Sequence, residues 1–170
     1  MNQPTFETER LVLKPRGLSD LKTAVAINSD PRVLTYLGSP WPPERKWAHL
    51  AAQMLRDYGP GLGYWSIFLR DVPEELLGWT GLIPLGEGPE IQLAYRLKVS
   101  AWGKGIATEA ATRLIRHGFD TVQLPVIAAW VHPDNTASHG VMEKLGFQRN
   151  GTYGDPPQDM YRCTKETSSC

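Results

Sequence analysis

Cysteine is almost missing from this 170-residue chain, where Cys163 and Cys170 stand alone near the end. Their spacing matches neither a thiolate metal site nor a redox pair, so free thiols of a cytoplasmic protein are the simplest account. Charge of one sign is missing too: 18 Lys and Arg balance 18 Asp and Glu. No overall field draws the chain to nucleic acid or to an anionic membrane. No apolar run is long enough to span a bilayer, and the polar opening Met1-Asn2-Gln3-Pro4 lacks the pattern of a signal peptide. The 4 histidines are scattered, with no pair at ligand spacing on one element, which predicts no metal. No Ser-His-Asp or Cys-His set suggests a covalent nucleophile. Repeats and low-complexity linkers are absent. What remains is one domain, residues 1–166, with a tail at 167–170 expected to fray.

Periodicity supplies the elements. Leu11 to Lys14 reads as a strand; Ser19 caps a short helix carrying Leu21, Ala24, Val25 and Asn28, and Asp30-Pro31 opens another through Val33 and Leu34. After Pro42-Pro43, Trp47, Leu50, Ala51, Met54, Leu55 and Tyr58 share one helix face, which puts Trp47 and Tyr58 in the core. Gly63 to Leu69 and Leu76 to Ile83 form a hairpin. From Ile91 to Val99 the odd positions are apolar, while Gln92, Ala94, Arg96 and Lys98 face the other way together with Glu90. A long helix then runs to His117-Gly118, where histidine suits the dipole and glycine the terminus. Pro125 to Val131 reads as a buried strand, and Asp134 or Asn135 starts a helix closed by Gly146 and Phe147. His49 and His139 read as helix-surface residues, and short strands near 147–150 and 159–164 complete an α+β domain with a mixed, mostly antiparallel sheet.

The densest signal is Trp102-Gly103-Lys104-Gly105-Ile106-Ala107-Thr108, between the Ile91 strand and the helix carrying Ala110, Ala111, Leu114 and Ile115. A strand, a glycine turn and a helix N-terminus in that order make an anion site, because unpaired N–H groups of the first turn point outward along the positive end of the dipole. Glycine admits close approach of a phosphate, and Lys104 adds a mobile cation. Taken alone, a Gly-x-Gly is equally an ordinary turn. It is not a mononucleotide P-loop, because Ile106 follows Gly105, and not a dinucleotide fingerprint, because position 108 is Thr and the loop comes late. That placement disfavours a nicotinamide or flavin oxidoreductase.

The loop resembles the pyrophosphate motif Gln/Arg-x-x-Gly-x-Gly/Ala of the GNAT N-acetyltransferases, with Trp102, Gly105 and Ala107 in its places. Trp in the first place is similar to the ribosomal-protein alanine acetyltransferase (RimJ/RimL-like) branch. Thr8-Glu9-Arg10-Leu11-Val12-Leu13-Lys14-Pro15, Gln92-Leu93-Ala94-Tyr95-Arg96-Leu97, His132-Pro133-Asp134-Asn135-Thr136-Ala137-Ser138 and Glu143-Lys144-Leu145-Gly146-Phe147 carry the same resemblance in the same order. It implies a three-layer α/β/α fold whose central sheet splays where acetyl-CoA enters, and transfer of an acetyl group to a primary amine. The acceptor would be a protein N-terminus or a small molecule, and the protein a monomer or homodimer. A non-catalytic module that senses coenzyme A is the alternative.

The resemblance also suggests roles. Backbone N–H groups of Gly103, Lys104, Gly105, Ile106, Ala107 and Thr108 would take the pyrophosphate, and Leu97, Lys98 and Val99 would pair with the pantetheine arm as an added strand does. Asn135 is placed against that arm, or is a plain helix cap. Direct attack needs a neutral amine, a stabilised oxyanion and a proton for the leaving thiolate. The oxyanion donor would be a main-chain N–H near Leu97. Many relatives place a tyrosine seven residues after the motif asparagine, where this chain has Met142. Ser138, one turn earlier, is then the candidate acid, or a hydroxyl bonded to its own helix. Gln92 stands where the branch often has glutamate and can hold a water; Glu90 on the same face is the candidate base, or a solvated carboxylate. Trp41, between proline-rich turns, is the candidate acceptor contact.

Overall fold

A computed structural model describes residues 3–37, 42–86 and 88–170. Eight strands form one sheet: β1 (Phe6–Glu7), β2 (Leu11–Pro15), β3 (Gly63–Leu69), β4 (Leu76–Pro84), β5 (Ile91–Leu97), β6 (Ile127–Val131), β7 (Gln148–Tyr153) and β8 (Gln158–Cys163). Their order is β1-β2-β3-β4-β5-β6-β8-β7, and every pairing is antiparallel except β5 with β6. The helices among the described residues are α1 (Leu21–Ile27), α2 (Pro31–Leu34), α3 (Pro43–Leu55), α4 (Ile106–Asp120) and α5 (Thr136–Lys144).

Three layers result, as expected. Ala24, Ile27, Val33 and Leu50 bring α1, α2 and α3 onto one face of the sheet, against Tyr64, Phe68, Trp79 and Ile83. On the other face Ile106, Ala110, Ala111, Leu114 and Ile115 of α4 pack with Leu82, Leu93 and Leu97, and Met142 of α5 joins them. Each fully buried Leu or Ile contributes about 1.5–3 kcal/mol. That stripe therefore holds the start of α4 against the end of β5, where the site lies. None of the described helices is long and apolar enough to cross a membrane.

Tertiary contacts correct several local expectations. Helix α4 does not stop at Gly118, because the missing Cβ there lets it lie close on the sheet; an added Cβ would stand 3.0 Å from Ile127 Cδ1 and 3.1 Å from Leu82 Cδ1. His117 is no dipole-neutralising cation. Its ring is buried beside Phe6 and Trp65, Nε2 lies 2.9 Å from the Gly61 carbonyl, and burial lowers its pKa. Ser19 is not a cap, since a 3₁₀ turn (Leu18–Asp20) leads straight into α1, whereas Asp30 does cap α2 by accepting the Arg32 N–H at 3.0 Å. Trp47 is 42% exposed, because α1 and α3 meet away from it. His139 is not a free surface ring: Nδ1 lies 2.7 Å from the Tyr161 hydroxyl and Nε2 3.0 Å from the Pro133 carbonyl. The last residues make contacts with the fold. Ser169 N–H donates to Leu145 O at 3.2 Å and Cys170 packs against the core, so residues 167–170 close over the end of α5.

Candidate active site

The site begins as a defect in the sheet. β5 and β6 pair only at Ile91 with Ile127 and Gln92 with Ala128, after which β5 runs on to Leu97 and β6 to Val131 with no further rungs. Lys98 N–H donates to Leu77 O at 2.8 Å, so the even-numbered residues of β5 bond to β4. Strand alternation then turns the N–H and C=O of Leu93, Tyr95 and Leu97 into the gap. The resulting cleft has a volume of about 590 Å³, and Tyr95, Leu97, Gly105, Thr108, Asn135 and Ser138 are among its lining.

At its mouth Gly103 and Gly105 both adopt left-handed conformations, with φ of 71° and 73°. Side chains there would cost roughly 1–2 kcal/mol each in strain. Gly105 is the N-cap of α4 and no side chain caps the helix. Glu109 N–H returns to Gly105 O at 3.0 Å, which leaves the N–H groups of Ile106, Ala107 and Thr108 for an anion. Arg10 braces the turn from below: Nη1 donates to Lys104 O at 3.0 Å and Nε to Glu109 Oε2 at 2.7 Å. Thr8 adds a 2.6 Å bond to the same carboxylate, and Trp102 Nε1 donates to Leu97 O at 3.0 Å, tying loop to strand. No acidic side chain among the described residues lines the cleft, while Arg32, Arg96 and Lys144 do. The lining therefore suits a phosphate-bearing ligand with an amide arm.

Not every expected residue is brought to this cleft. Lys98 is not: its N–H belongs to β4 and its side chain pairs with Glu75. Val99 starts a 3₁₀ turn and accepts from Trp102 N–H at 3.1 Å, and Lys104 is exposed outside the lining. The strand ends at Leu97, earlier than the alternation suggested, because that turn redirects the chain. Glu90 pairs with Arg162 of β8 at the closed end of the wedge, and neither Glu90 nor Gln92 lines the cleft. Trp41 lies outside the described residues. Asn135 does cap α5, accepting the Ser138 N–H at 3.1 Å; the oxygen is used and the amide nitrogen is left to donate into the cleft.

Met142 is 1% exposed, packed in the core. Another hydroxyl lines the cleft from β5. Tyr95, on β5, buries its phenol oxygen without a hydrogen-bond partner. Burial raises the phenol's pKa, and the Ser138 hydroxyl beside it pulls the value back. Tyr95 went unnoticed in the sequence because alternation assigns it to the apolar face with Leu93 and Leu97. A tyrosine on such a face, whose hydroxyl needs a partner, was the available signal.

A second cavity of about 220 Å³ lies on the α1–α3 face of the sheet, lined by Asn28, Lys46, His49, Tyr64, Trp79 and Arg96 among others. Arg96 and Leu37 line both cavities, so the two adjoin at the end of β5. Arg96 donates to Asn28 Oδ1, and burial lowers its pKa. Burial also pushes the Tyr64 phenol up to about 12, which keeps it neutral.

Residues 10–148 match the acetyltransferase (GNAT) domain. Among curated proteins, an uncharacterized N-acetyltransferase, p20 of Bacillus licheniformis, is 32% identical over 89% of this chain and 86% of its own length. An FsC-acetyl coenzyme A-N(2)-transacetylase of Aspergillus fumigatus is 28% identical over 91% of this chain and 71% of its own. Among solved structures, an acetyltransferase from Agrobacterium tumefaciens superposes with a TM-score of 0.85 at 29% identity, covering 97% of this chain and 96% of that one. The ribosomal L7/L12 α-N-protein acetyltransferase RimL, solved with coenzyme A, shares the fold with a TM-score of 0.78 at 17% identity, covering 97% of this chain and 100% of that one.

Proposed function

This chain belongs to the GNAT acetyltransferases, and from that premise we propose that it moves an acetyl group from acetyl-CoA to a primary amine by direct attack. The observation that carries the reading is the wedge between β5 and β6, closed at one end by paired strands and opened at the other onto the glycine turn of α4. Acetyl-CoA, when bound, supplies an activated acetyl thioester. The N–H groups of Ile106, Ala107 and Thr108 hold its pyrophosphate, and the unpaired edge of β5 with the Asn135 amide nitrogen holds its pantetheine arm. The Leu97 N–H, turned into the gap, stabilises an oxyanion.

Ser138 holds a proton at Oγ where a leaving thiolate would take it, and the Tyr95 hydroxyl, buried beside it without a partner, is a second donor in reach of the same site. The acceptor comes from the smaller cavity past Arg96. No carboxylate among the described residues lines either cavity, and positive charge at Arg96 favours a neutral amine over an ammonium. The amine therefore leaves its proton with water, and Glu90 takes no part. Holding the two reactants together does the rest. The name of the Aspergillus relative couples acetyl coenzyme A with an N(2) position, which supports a nitrogen acceptor.

Thermal shift with coenzyme A, followed by thiol release across an amine and peptide library, tests this reading. A stabilising shift with turnover of some amine is expected. No shift would overturn the cofactor assignment, and a shift with no turnover across the library would favour a coenzyme A sensor.

A further inference from the structure

Arg16 is the most expensive side chain in the molecule. It follows β2, is only 6% exposed, and its Nε, Nη1 and Nη2 are all buried without a hydrogen bond. A buried guanidinium normally takes a carboxylate or a set of carbonyls, since an isolated buried charge costs several kcal/mol. The carboxylate with the strongest pull on it, Asp20, is engaged elsewhere, accepting from Ser66 Oγ at 2.7 Å and from Gly17 N–H at 3.2 Å. Aromatic rings compensate in part: the guanidinium carbon lies 4.2 Å from the Trp79 ring centre and 5.5 Å from that of Tyr64. Such contacts are worth about 0.5–2 kcal/mol, less than the desolvation they offset.

Those same rings, Trp79 and Tyr64, form a wall of the smaller cavity. Arg96 stands over Trp79 as well, at 5.5 Å, so two guanidiniums share one indole beside one cavity. Lys46 and His49 add to the lining from α3, with Lys46 Nζ donating to Ser29 Oγ at 3.0 Å, and no acidic residue lines it among those described. Burial lowers the Arg16 pKa only to about 10, and repulsion from Arg96 adds to the lowering, so Arg16 remains charged at neutral pH. Excess positive charge held in place by aromatic walls is a receptor for an anion.

Resting on the acetyltransferase reading above, we propose that the smaller cavity selects acceptors bearing a carboxylate, held on Arg96 with Arg16 reinforcing it from behind Trp79 and Tyr64. The preferred acceptor is a small amino carboxylate whose amine projects past Arg96 into the cleft. The volume of about 220 Å³ is below the ~300–1,000 Å³ of drug-sized ligand sites and suits a molecule of amino-acid size. Arg16 acts here through its field and through the aromatic wall, as a positioning residue. Its lack of hydrogen bonds is what a purely structural arginine would not show.

The experiment uses a panel of amino acids and the matching amino-acid amides as acceptors, at saturating acetyl-CoA, with the full-length wild type, Arg16→Met and Arg16→Lys. In the wild type kcat/KM should favour the carboxylate over its amide by at least about tenfold. Arg16→Met should raise KM for the carboxylates by a similar factor, leave the amides and coenzyme A affinity unchanged, and leave Tm unchanged or higher, because an unpaired buried charge is replaced by an apolar chain of like size. Arg16→Lys should recover part of the preference, since it restores charge without the planar fork. Equal turnover of carboxylates and amides by the wild type would overturn the proposal while leaving the acetyltransferase reading intact, as would turnover of peptides alone. Loss of Tm in Arg16→Met with an unchanged acceptor KM would make Arg16 structural. Should that variant not fold, the wild-type preference decides alone. Absence of a coenzyme A shift in the wild type would instead strike the reading on which this one rests.

Discussion

The two cavities that meet at Arg96 are built from different materials. The larger one presents main chain: left-handed glycines at 103 and 105, the uncapped start of α4 and the free edge of β5. The smaller one uses side chains brought together from β3, β4, β5, α2 and α3, with buried charge against aromatic faces. Backbone recognition depends on conformation and tolerates change in most side chains. Side-chain recognition depends on identity, so a single substitution can redirect it. A family that keeps one cofactor and varies its acceptor has a physical reason to divide its site this way.

The difference can be broken most sharply at Gly105. A valine there must adopt φ near 73°, at a strain of about 1–2 kcal/mol or more for a β-branched residue, and its methyl groups would cover the N–H groups of the first turn. Gly105→Val should abolish the thermal shift caused by coenzyme A while lowering Tm of the free protein only modestly. An undiminished shift would show that the glycine turn is not the phosphate site.

Next in size is the proposed proton donor in the larger cavity. Ser138→Ala and Tyr95→Phe should each lower kcat by roughly 100-fold, the low end of general acid catalysis, with coenzyme A affinity nearly unchanged. If the two hydroxyls form one chain, the double variant should be little worse than the poorer single one. Fully multiplicative losses, measured where chemistry limits the rate, would separate them, and loss of coenzyme A binding in Ser138→Ala would make that residue a cofactor ligand.

A smaller effect belongs to neither cavity. His117 has its pKa lowered by burial, so the folded state favours the neutral ring. Above the ordinary value of 6.5 the ring is neutral in both states and the protein has full stability. As pH falls below it the unfolded chain takes the proton first, and stability is lost until the folded ring also protonates. Tm should therefore fall between pH 7 and 5, and His117→Gln should flatten that slope with no change in either KM. The smallest effect is expected at Glu90. Because it pairs with Arg162 outside both cavities, Glu90→Gln should leave the pH–rate profile following the pKa of the acceptor amine. A profile displaced to higher pH at normal coenzyme A affinity would return Glu90 to the chemistry.

How much of this was legible beforehand follows the same division. The anion turn, its helix and the hydroxyl of Ser138 sit within a few residues of recognisable neighbours, and the Asn135 cap is a local preference. Glu90 was placed on the right strand face, but its partner Arg162 lies 72 positions away, beyond the reach of any pattern. Tyr95 was seen as an apolar position because alternation reports which face a residue occupies and not whether its hydroxyl finds a partner. His117 and Gly118 mark helix ends in isolation, and only the approach of Ile127 and Leu82 explains why the helix continues through them.

By itself the sequence determined most elements, the mixed sheet and the glycine turn before α4, because local spacing records each: a period of two, a period of 3.6, glycines where φ is positive; the order of several motifs along the chain determined the family. Tertiary structure alone decided that β5 and β6 part after two rungs, that Tyr95 meets Ser138, and that Arg16 and Arg96 share the face of Trp79. Charge and hydroxyl pairings of that kind depend on which distant atoms burial brings within a few ångströms, and dihedral preference and periodicity carry no record of it.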